Sequence, residues 1–177
     1  MNNLCTFSPC RQYRFTLLHD AQQITAKTLC WIGLNPSTAD EQQLDPTLRR
    51  IKAYTEREGF SSFVMLNVYP FRATDPKVMK AHHASLDHLT AERIAFENAS
   101  HIRAAIRASG HKQFVCAWGV HAPRIPPELF SILVSDEFTP LCLGTTTEGH
   151  PRHPLYLSAA EPLVPYRCGV DQGKEAA

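Results

Sequence analysis

Amide and hydroxyl side chains follow the apolar runs of this sequence at the points where those runs end. Asn35 and Ser37, separated by Pro36, come directly after "KTLCWIGL", and Asn67 comes directly after "SSFVML". The asparagine amide carries a hydrogen-bond donor and an acceptor together, and a serine hydroxyl serves as either. Such groups bind polar ligands through paired hydrogen bonds, so these positions are the first candidates for a site.

A polar segment after the last apolar run adds two histidines to these candidates. The segment "GTTTEGHPRHPLYL" covers residues 144–157, and a proline follows each of His150 and His153. Proline fixes one backbone angle and stiffens a loop. An isolated loop histidine is usually solvated, whereas a rigid pair beside three threonines is a better candidate for a binding or catalytic site.

The candidates come together only if the apolar runs are parallel strands of one sheet. Short apolar runs alternate with segments of helical periodicity, which is typical of right-handed β-α-β crossovers. Ligands bind beyond the carboxyl ends of such strands, so the polar residues are predicted to meet at one sheet edge. The predicted strands are 27–34, 61–66, 112–117 and 139–143, and the predicted helices are 45–59, about 89–109 and one after Pro126-Pro127.

The chain is predicted to be a single α/β domain over residues 1–177, with its sheet between helical layers. A further strand, "YRFTLLHD" at 13–20, is predicted to form a hairpin with 27–34. The polar tail after about residue 167 is predicted to fray.

Each candidate also has a purely structural interpretation. Ser37 can cap a helix or close a turn, as hydroxyls after strands commonly do. Asn67 lies in an apolar run, where an unpaired amide is costly, so it either fastens a neighbouring loop or binds a ligand. The residue pattern alone leaves both alternatives open.

Composition excludes several classes of function. The chain has 177 residues, 44% hydrophobic composition and a formal net charge of +1, so nucleic-acid binding cannot be inferred from global charge. It has no apolar run of about 18 residues and no secretory signal, so we expect a cytoplasmic protein with no membrane partner. The six cysteines have no C-x-x-C spacing, so neither a metal nor another cofactor is expected.

Five motifs occur together in an order that resembles a known family. They are "GLNPSTAD", "DPTLRR", "NVYPFRATDP", "AWG" and "LGTTTEGHPRHPLYL". Over roughly residues 29–166 the chain resembles the bacterial and phage family called domain of unknown function 1643. That family name assigns no activity.

The same motifs are more distantly similar to the uracil-DNA glycosylase superfamily. "GLNPS" resembles the motif after its first core strand, "LNVYPFRATDP" its second motif, and "HPLYL" its H-P-S-x-L loop. The resemblance implies a three-layer α/β/α fold with a four-stranded, mainly parallel sheet, which the residue pattern predicts independently. It also implies a pocket that recognises a nucleobase and an activity that cleaves an N-glycosidic bond.

The resemblance implies a role for each polar candidate. Asn35 would hold the attacking water or face the sugar cation, and Asn67 would recognise the base edge. His153, or alternatively His150, would donate to the oxygen of the departing base, where a fixed donor stabilises developing charge. Ser37 replaces a glycine of the superfamily motif, and asparagine is a poorer base than the aspartate that activates water best.

The remaining implied contacts are with the substrate and with a nucleic-acid backbone. Substrate contacts are expected at Pro36, Ser37, Phe71, Arg72 and Thr145, with Phe71 as the stacking aromatic. Nucleic-acid contacts are expected at Arg49, Arg50 and Arg152, and at Leu155 and Tyr156, which are apolar enough to enter a base step.

The sequence therefore predicts a protein that recognises a nucleobase, and three functions remain open. The first is a glycosylase-like hydrolase acting on uracil or a modified base in nucleic acid. The second is a protein that binds a free nucleoside or nucleotide in the same pocket. The third is a non-catalytic module in which the motifs preserve loop geometry. The oligomeric state is left open.

Overall fold

A mixed sheet of seven strands forms the centre of the fold. The computed structural model describes residues 3–37, 44–122 and 124–168. The strands are β1 (Asn3–Phe7), β2 (Arg14–His19), β3 (Thr28–Gly33), β4 (Ser62–Asn67), β5 (Gln113–Cys116), β6 (Thr139–Cys142) and β7 (Val164–Pro165). The helices are α1 (Pro46–Arg57), α2 (Pro76–Ser85), α3 (His88–Ser109) and α4 (Pro127–Leu133).

The prediction of a four-stranded sheet is wrong in size but describes the middle of the sheet. The spatial order is β1-β2-β4-β3-β5-β6-β7. The central strands β4, β3, β5 and β6 pair in parallel, and β1, β2 and β7 extend the sheet with antiparallel pairing. The helical crossovers explain the parallel pairing, because the helices connect successive central strands.

The predicted hairpin has a different partner. β2 does not pair with β3; it forms a hairpin with β1, and its other edge pairs antiparallel with β4. The turn between β1 and β2 explains the hairpin, because Ser8 N donates to Tyr13 O at 3.0 Å and Ser8 Oγ accepts from Tyr13 N at 3.2 Å. This turn closes β1 onto β2 and leaves β3 to pair with β4.

Helices cover the sheet on both faces. Alternate residues of β3 point to opposite sides, so Trp31 packs with α1 through Ile51, while Ile32 belongs to the cluster that contains Ile106 of α3 and Ile132 of α4. These contacts give the three layers that the pattern predicts.

Aspartates cap the three longer helices, including α1, whose predicted range of 45–59 begins at its cap residue Asp45. Asp45 Oδ1 accepts from Leu48 N at 2.8 Å, and Asp75 and Asp87 cap α2 and α3 in the same way. None of the helices in the described ranges is long and apolar enough to cross a membrane. The predicted frayed tail falls mostly on residues 169–177, outside the described residues.

Candidate functional site

A cavity of about 620 Å³ opens at the carboxyl ends of the four parallel strands. This volume is within the range of about 300–1,000 Å³ that is typical of small-molecule sites. Every central strand contributes to the lining through the loop that follows it: Asn35 after β3, Asn67 at the end of β4, Trp118 after β5 and His153 after β6. The sheet edge predicted from the sequence therefore lines this cavity.

Asn67 carries the most informative polar group of the cavity. Its residue is only 1% exposed, and neither Oδ1 nor Nδ2 has a hydrogen-bond partner among the described residues. Its main-chain oxygen is bound, because Asn98 Nδ2 on α3 donates to it at 2.9 Å. A buried amide without partners costs about 1–3 kcal/mol. The loop-fastening interpretation of Asn67 gains no hydrogen bond from the described residues.

Gly33, beside Asn67, is a position where the space admits no side chain. A Cβ there would lie 2.3 Å from Met65 Cε and 3.3 Å from Asn67 Oδ1. The parallel register places Gly33 directly opposite Asn67. The glycine therefore lets the amide occupy the cavity wall.

We expect Gly33→Ala to weaken ligand binding more than it weakens the fold. The new methyl group displaces the end of Met65, which is flexible, but it also moves the Asn67 amide. Overpacking of this kind costs about 1–3 kcal/mol of stability. Thermal melting measures that cost, and the melting shift produced by a ligand measures the second effect; a full ligand shift in the variant would contradict the prediction.

Asn35 and Ser37 fasten the loop that follows β3. Asn35 Nδ2 donates to Ala73 O at 2.7 Å and to Pro36 O at 3.1 Å, which ties this loop to the one after β4. Both bonds use the Nδ2 donor of Asn35, so its acceptor oxygen, Oδ1, takes no part in them. Ser37 Oγ donates to the cap residue Asp45 at Oδ2, 2.8 Å away. Both residues line the cavity, so the site and the loop geometry use the same side chains.

His153 is held as a neutral hydrogen-bond donor. Its Nδ1 accepts from Leu155 N at 3.3 Å, which places the ring proton on Nε2. Burial lowers the pKa of His153, an effect that the nearby Asp45 carboxylate opposes and His121 reinforces. Gly119 packs closely, since a Cβ there would lie 3.3 Å from the His153 Cβ. The imidazole is therefore neutral at pH 7, with one N–H to offer.

The two predicted histidines lie in different places. His153 lines the cavity, whereas His150 lies outside its lining, with Nε2 3.6 Å from a carboxylate oxygen of Glu148. The main chain at His150 pairs with Thr146 in a turn, and Thr146 itself lines the cavity. Of the two histidines, His153 therefore lies on the cavity lining and His150 does not.

Two charged residues that the sequence interpretation missed also line the cavity. Arg14 is 2% exposed, and burial lowers the pKa of its guanidinium, partly offset by Cys5 and Asp45. Asp45, predicted only as a helix cap, faces the cavity as well. The site therefore contains a buried cation and a carboxylate in addition to the amides.

A β-bulge turns Arg14 towards the cavity. The β1–β2 register passes from Thr6↔Thr16 to Phe7↔Arg14, which leaves Phe15 as the extra residue. Bulges redirect side chains and are frequent beside active sites. An arginine inside an otherwise apolar strand was the available signal in the sequence, but it could not show the bulge.

The mouth of the cavity is partly apolar. Leu155 and Tyr156 lie on its lining and are 37% and 81% exposed, and Val120 is 51% exposed beside them. Arg152 also lines the mouth, and its Nη1 lies 3.5 Å from Glu161 Oε1. The predicted contact residues of the last motif are therefore gathered at the entrance, where their roles stay predictions.

The other predicted residues lie away from the cavity lining. Arg49 donates to Leu44 O at 2.7 Å and Arg50 to Leu157 O, so both bind the protein's own main chain. Four predicted substrate contacts are also absent from the cavity lining: Pro36, Thr145, Phe71 and Arg72. The main-chain oxygen of Pro36 accepts from Ala73 N, and Thr145 is exposed.

A metal site has no support in the geometry. Among residues 3–37, 44–122 and 124–168, no group of three or more histidine, cysteine, aspartate or glutamate side chains could hold an ion. The cavity lining combines amides, the imidazoles of His121 and His153, the guanidiniums of Arg14 and Arg152 and one carboxylate, which is a set suited to hydrogen bonding with a polar organic ligand.

Comparison with protein families gives one match. The family described as "Protein of unknown function (DUF1643)" matches residues 14–155. The match begins at Arg14 and ends at Leu155, so it includes every residue of the cavity lining except Tyr156 and Leu157. Comparisons with curated proteins and with solved structures give no match.

Proposed function

The chain belongs to the family of proteins of unknown function DUF1643, and we propose that its cavity binds a nucleobase through the side-chain amide of Asn67. The observation that carries this proposal is the amide itself, which is buried, lines a cavity and has no hydrogen-bond partner among the described residues. A nucleobase edge presents a donor beside an acceptor, and one asparagine side chain satisfies both.

The apolar and polar parts of the cavity suit such a ring. Leu48, Ile51 and Trp118 supply apolar surface, while polar groups are few and converge from several loops. Ligand sites generally combine an apolar lining with a small number of placed polar groups that fix orientation. A flat heterocycle that enters with its polar edge towards Asn67 satisfies the amide and buries its faces.

We further propose that the protein hydrolyses the N-glycosidic bond of the bound nucleoside unit. The bond between the sugar C1′ and the base nitrogen breaks with its electron pair going to the base, and water oxygen bonds to C1′ and loses a proton. His153 Nε2–H donates a hydrogen bond to the carbonyl oxygen of the departing base, which is anionic until it takes up a proton. Asn35 Oδ1 is the acceptor that orients the water. A fixed donor such as His153 Nε2–H contributes several kcal/mol by stabilising the charge that develops on the base.

A second candidate function is binding of a free nucleoside or nucleotide without a nucleic-acid chain. The hydrogen bonds of Arg49 and Arg50 to main-chain oxygens favour it, because the basic helix face predicted to contact phosphates is already engaged. The net charge of +1 agrees with this alternative. Both functions place the base against Asn67.

The test of base recognition is a melting measurement with a panel of ligands. Free bases, nucleosides and nucleotides are added separately, and a ligand at a hundred times its dissociation constant stabilises by about 2.7 kcal/mol. We expect one class of base to raise the melting temperature of the protein, and we expect no base to raise the melting temperature of Asn67→Leu. No shift with any base, nucleoside or nucleotide would contradict the proposal; release of free base from the bound nucleoside then decides between the two functions.

A further inference from the structure

A second concave surface lies beside the cavity and contains two motif residues that the cavity does not use. This groove, of about 380 Å³, is lined by Arg11, Gln12, Phe71, Arg72 and His82. The resemblance implied substrate contacts for Phe71 and Arg72, yet both belong to this groove instead of the cavity lining. The lining combines guanidinium groups with aromatic rings.

The rings form a fixed stack. Phe71 and His82 lie face to face, with ring centroids 3.7 Å apart and an interplanar angle of 11°. Tyr13 packs its edge against Phe71 and its hydroxyl is 2.9 Å from His82 Nε2, which holds the imidazole in place. Burial lowers the pKa of His82, so the ring is neutral at pH 7. The groove therefore presents a flat, uncharged aromatic surface.

The two arginines of the groove both lie over the ring of Phe7, which is outside the groove lining. The guanidinium carbons of Arg11 and Arg72 lie 4.2 Å and 5.0 Å from the centroid of the Phe7 ring. Arg72 Nη1 also donates to Arg11 O at 3.3 Å. Like charges gathered near one ring attract an anion, and guanidinium groups match phosphate oxygens through paired donors.

The groove and the cavity are lined by neighbouring residues on two segments of chain. Arg72 lines the groove and Ala73 the cavity, and Tyr13 next to the groove precedes Arg14 in the cavity. Successive Cα atoms are about 3.8 Å apart, so the two sites are neighbours on the scale of one nucleotide. The bond from Asn35 Nδ2 to Ala73 O fastens this wall at 2.7 Å.

We propose that the groove binds the nucleotide next to the one held in the cavity, in a single strand of nucleic acid. The flanking base stacks on the Phe71–His82 rings and its phosphate lies between Arg11 and Arg72. Basic grooves with aromatic platforms are the common means of binding single strands without sequence preference. The inference rests on the proposed function, because it takes the cavity as the place of the target base.

The test measures the affinity of the full chain for a single-stranded DNA of about ten nucleotides over a series of salt concentrations. The variants are Arg11→Gln with Arg72→Gln, and Phe71→Leu. The control is Arg103→Gln, which removes a single arginine charge from α3, where Arg103 Nη2 donates to Ser131 Oγ at 3.4 Å. We expect the double arginine variant to reduce the slope of log affinity against log salt by about 0.7–1.4, and Phe71→Leu to weaken binding about tenfold. Melting temperatures confirm that each variant is folded.

Three outcomes would overturn the inference. The first is a double arginine variant with the same affinity and salt slope as the control. The second is inorganic polyphosphate that binds as tightly as DNA, with Phe71→Leu unchanged, which indicates an anion surface without base stacking. The third is a nucleoside that shifts the melting temperature while the oligonucleotide does not bind. That third result leaves the cavity proposal standing, whereas groove-dependent DNA binding with no nucleoside shift would refute the cavity proposal and, with it, the placement of the groove nucleotide beside a base in the cavity.

Discussion

Replacing Asn67 with leucine is expected to raise the stability of the protein and abolish its ligand binding at the same time. The substitution keeps the number of side-chain heavy atoms but removes two buried polar atoms that have no partner among the described residues. The unfolding free energy should rise by about 1–3 kcal/mol, which is the cost of burying such an amide. For a chain of this size that corresponds to roughly 2–4 °C per kcal/mol in melting temperature.

Asn98→Leu is the matched control, and its expected effect on stability has the opposite sign. Asn98 is as buried as Asn67, at 2% exposure, but its Nδ2 donates to the main-chain oxygens of Asn67 and Val68 at 2.9 Å and 3.2 Å. Removing Asn98 Nδ2 takes a donor from each of these two oxygens and lowers the unfolding free energy. If Asn67→Leu destabilises the chain as Asn98→Leu does, and the ligand still binds, Asn67 is a structural residue and base recognition fails.

The central strands and their polar ends were predictable because local signals agree with the fold there. The runs at 27–34 and 61–66 are continuously apolar, and the structure buries them between helical layers as strands β3 and β4. Once the strands are parallel, Asn35 and Asn67 must follow at the same edge. The geometry of this edge depends only on chain direction, which the alternation of strand and helix determines.

The edge strands were not predictable in the same way. β2 has apolar residues suited to a strand, but its partner depends on the turn at Ser8–Tyr13, whose hydrogen bonds are local and not visible as periodicity. β7 contains only Val164 and Pro165 and is too short to give a pattern. Three antiparallel strands therefore extend the parallel centre, and of these only β2 was predicted, as the strand at 13–20 with a different partner.

Arg14 and Asp45 show why charges in the cavity were missed. A single arginine in a strand and an aspartate before Pro46 each have an ordinary interpretation, as an edge residue and as a helix cap. Asp45 does cap α1, and the cap position itself faces the cavity. Arg14 enters the lining only through the bulge at Phe15, so its placement required three-dimensional register.

Replacing His153 with alanine is expected to lower the rate of base release by about 10²–10³-fold, the usual effect of losing one fixed donor to developing negative charge. His153→Gln, which keeps an N–H donor near the same place, should retain part of the rate. His150→Ala is the matched control, because His150 lies outside the cavity lining and should leave the rate nearly unchanged. Equal losses in His150→Ala and His153→Ala would remove the basis for assigning the donor to His153.

The pH dependence distinguishes a neutral donor from a cationic one. Burial lowers the pKa of His153 below its ordinary value of 6.5, so the neutral ring persists as pH falls from 8 to 6.5 and the rate of base release should stay level. A cationic imidazolium donor would instead make the rate rise over that interval. Stability follows the same linkage: between 6.5 and the lowered pKa, the unfolded state binds more protons, so the unfolding free energy decreases as the pH is lowered. His153→Gln should reduce that fall, measured by denaturant unfolding at several pH values, because glutamine does not titrate.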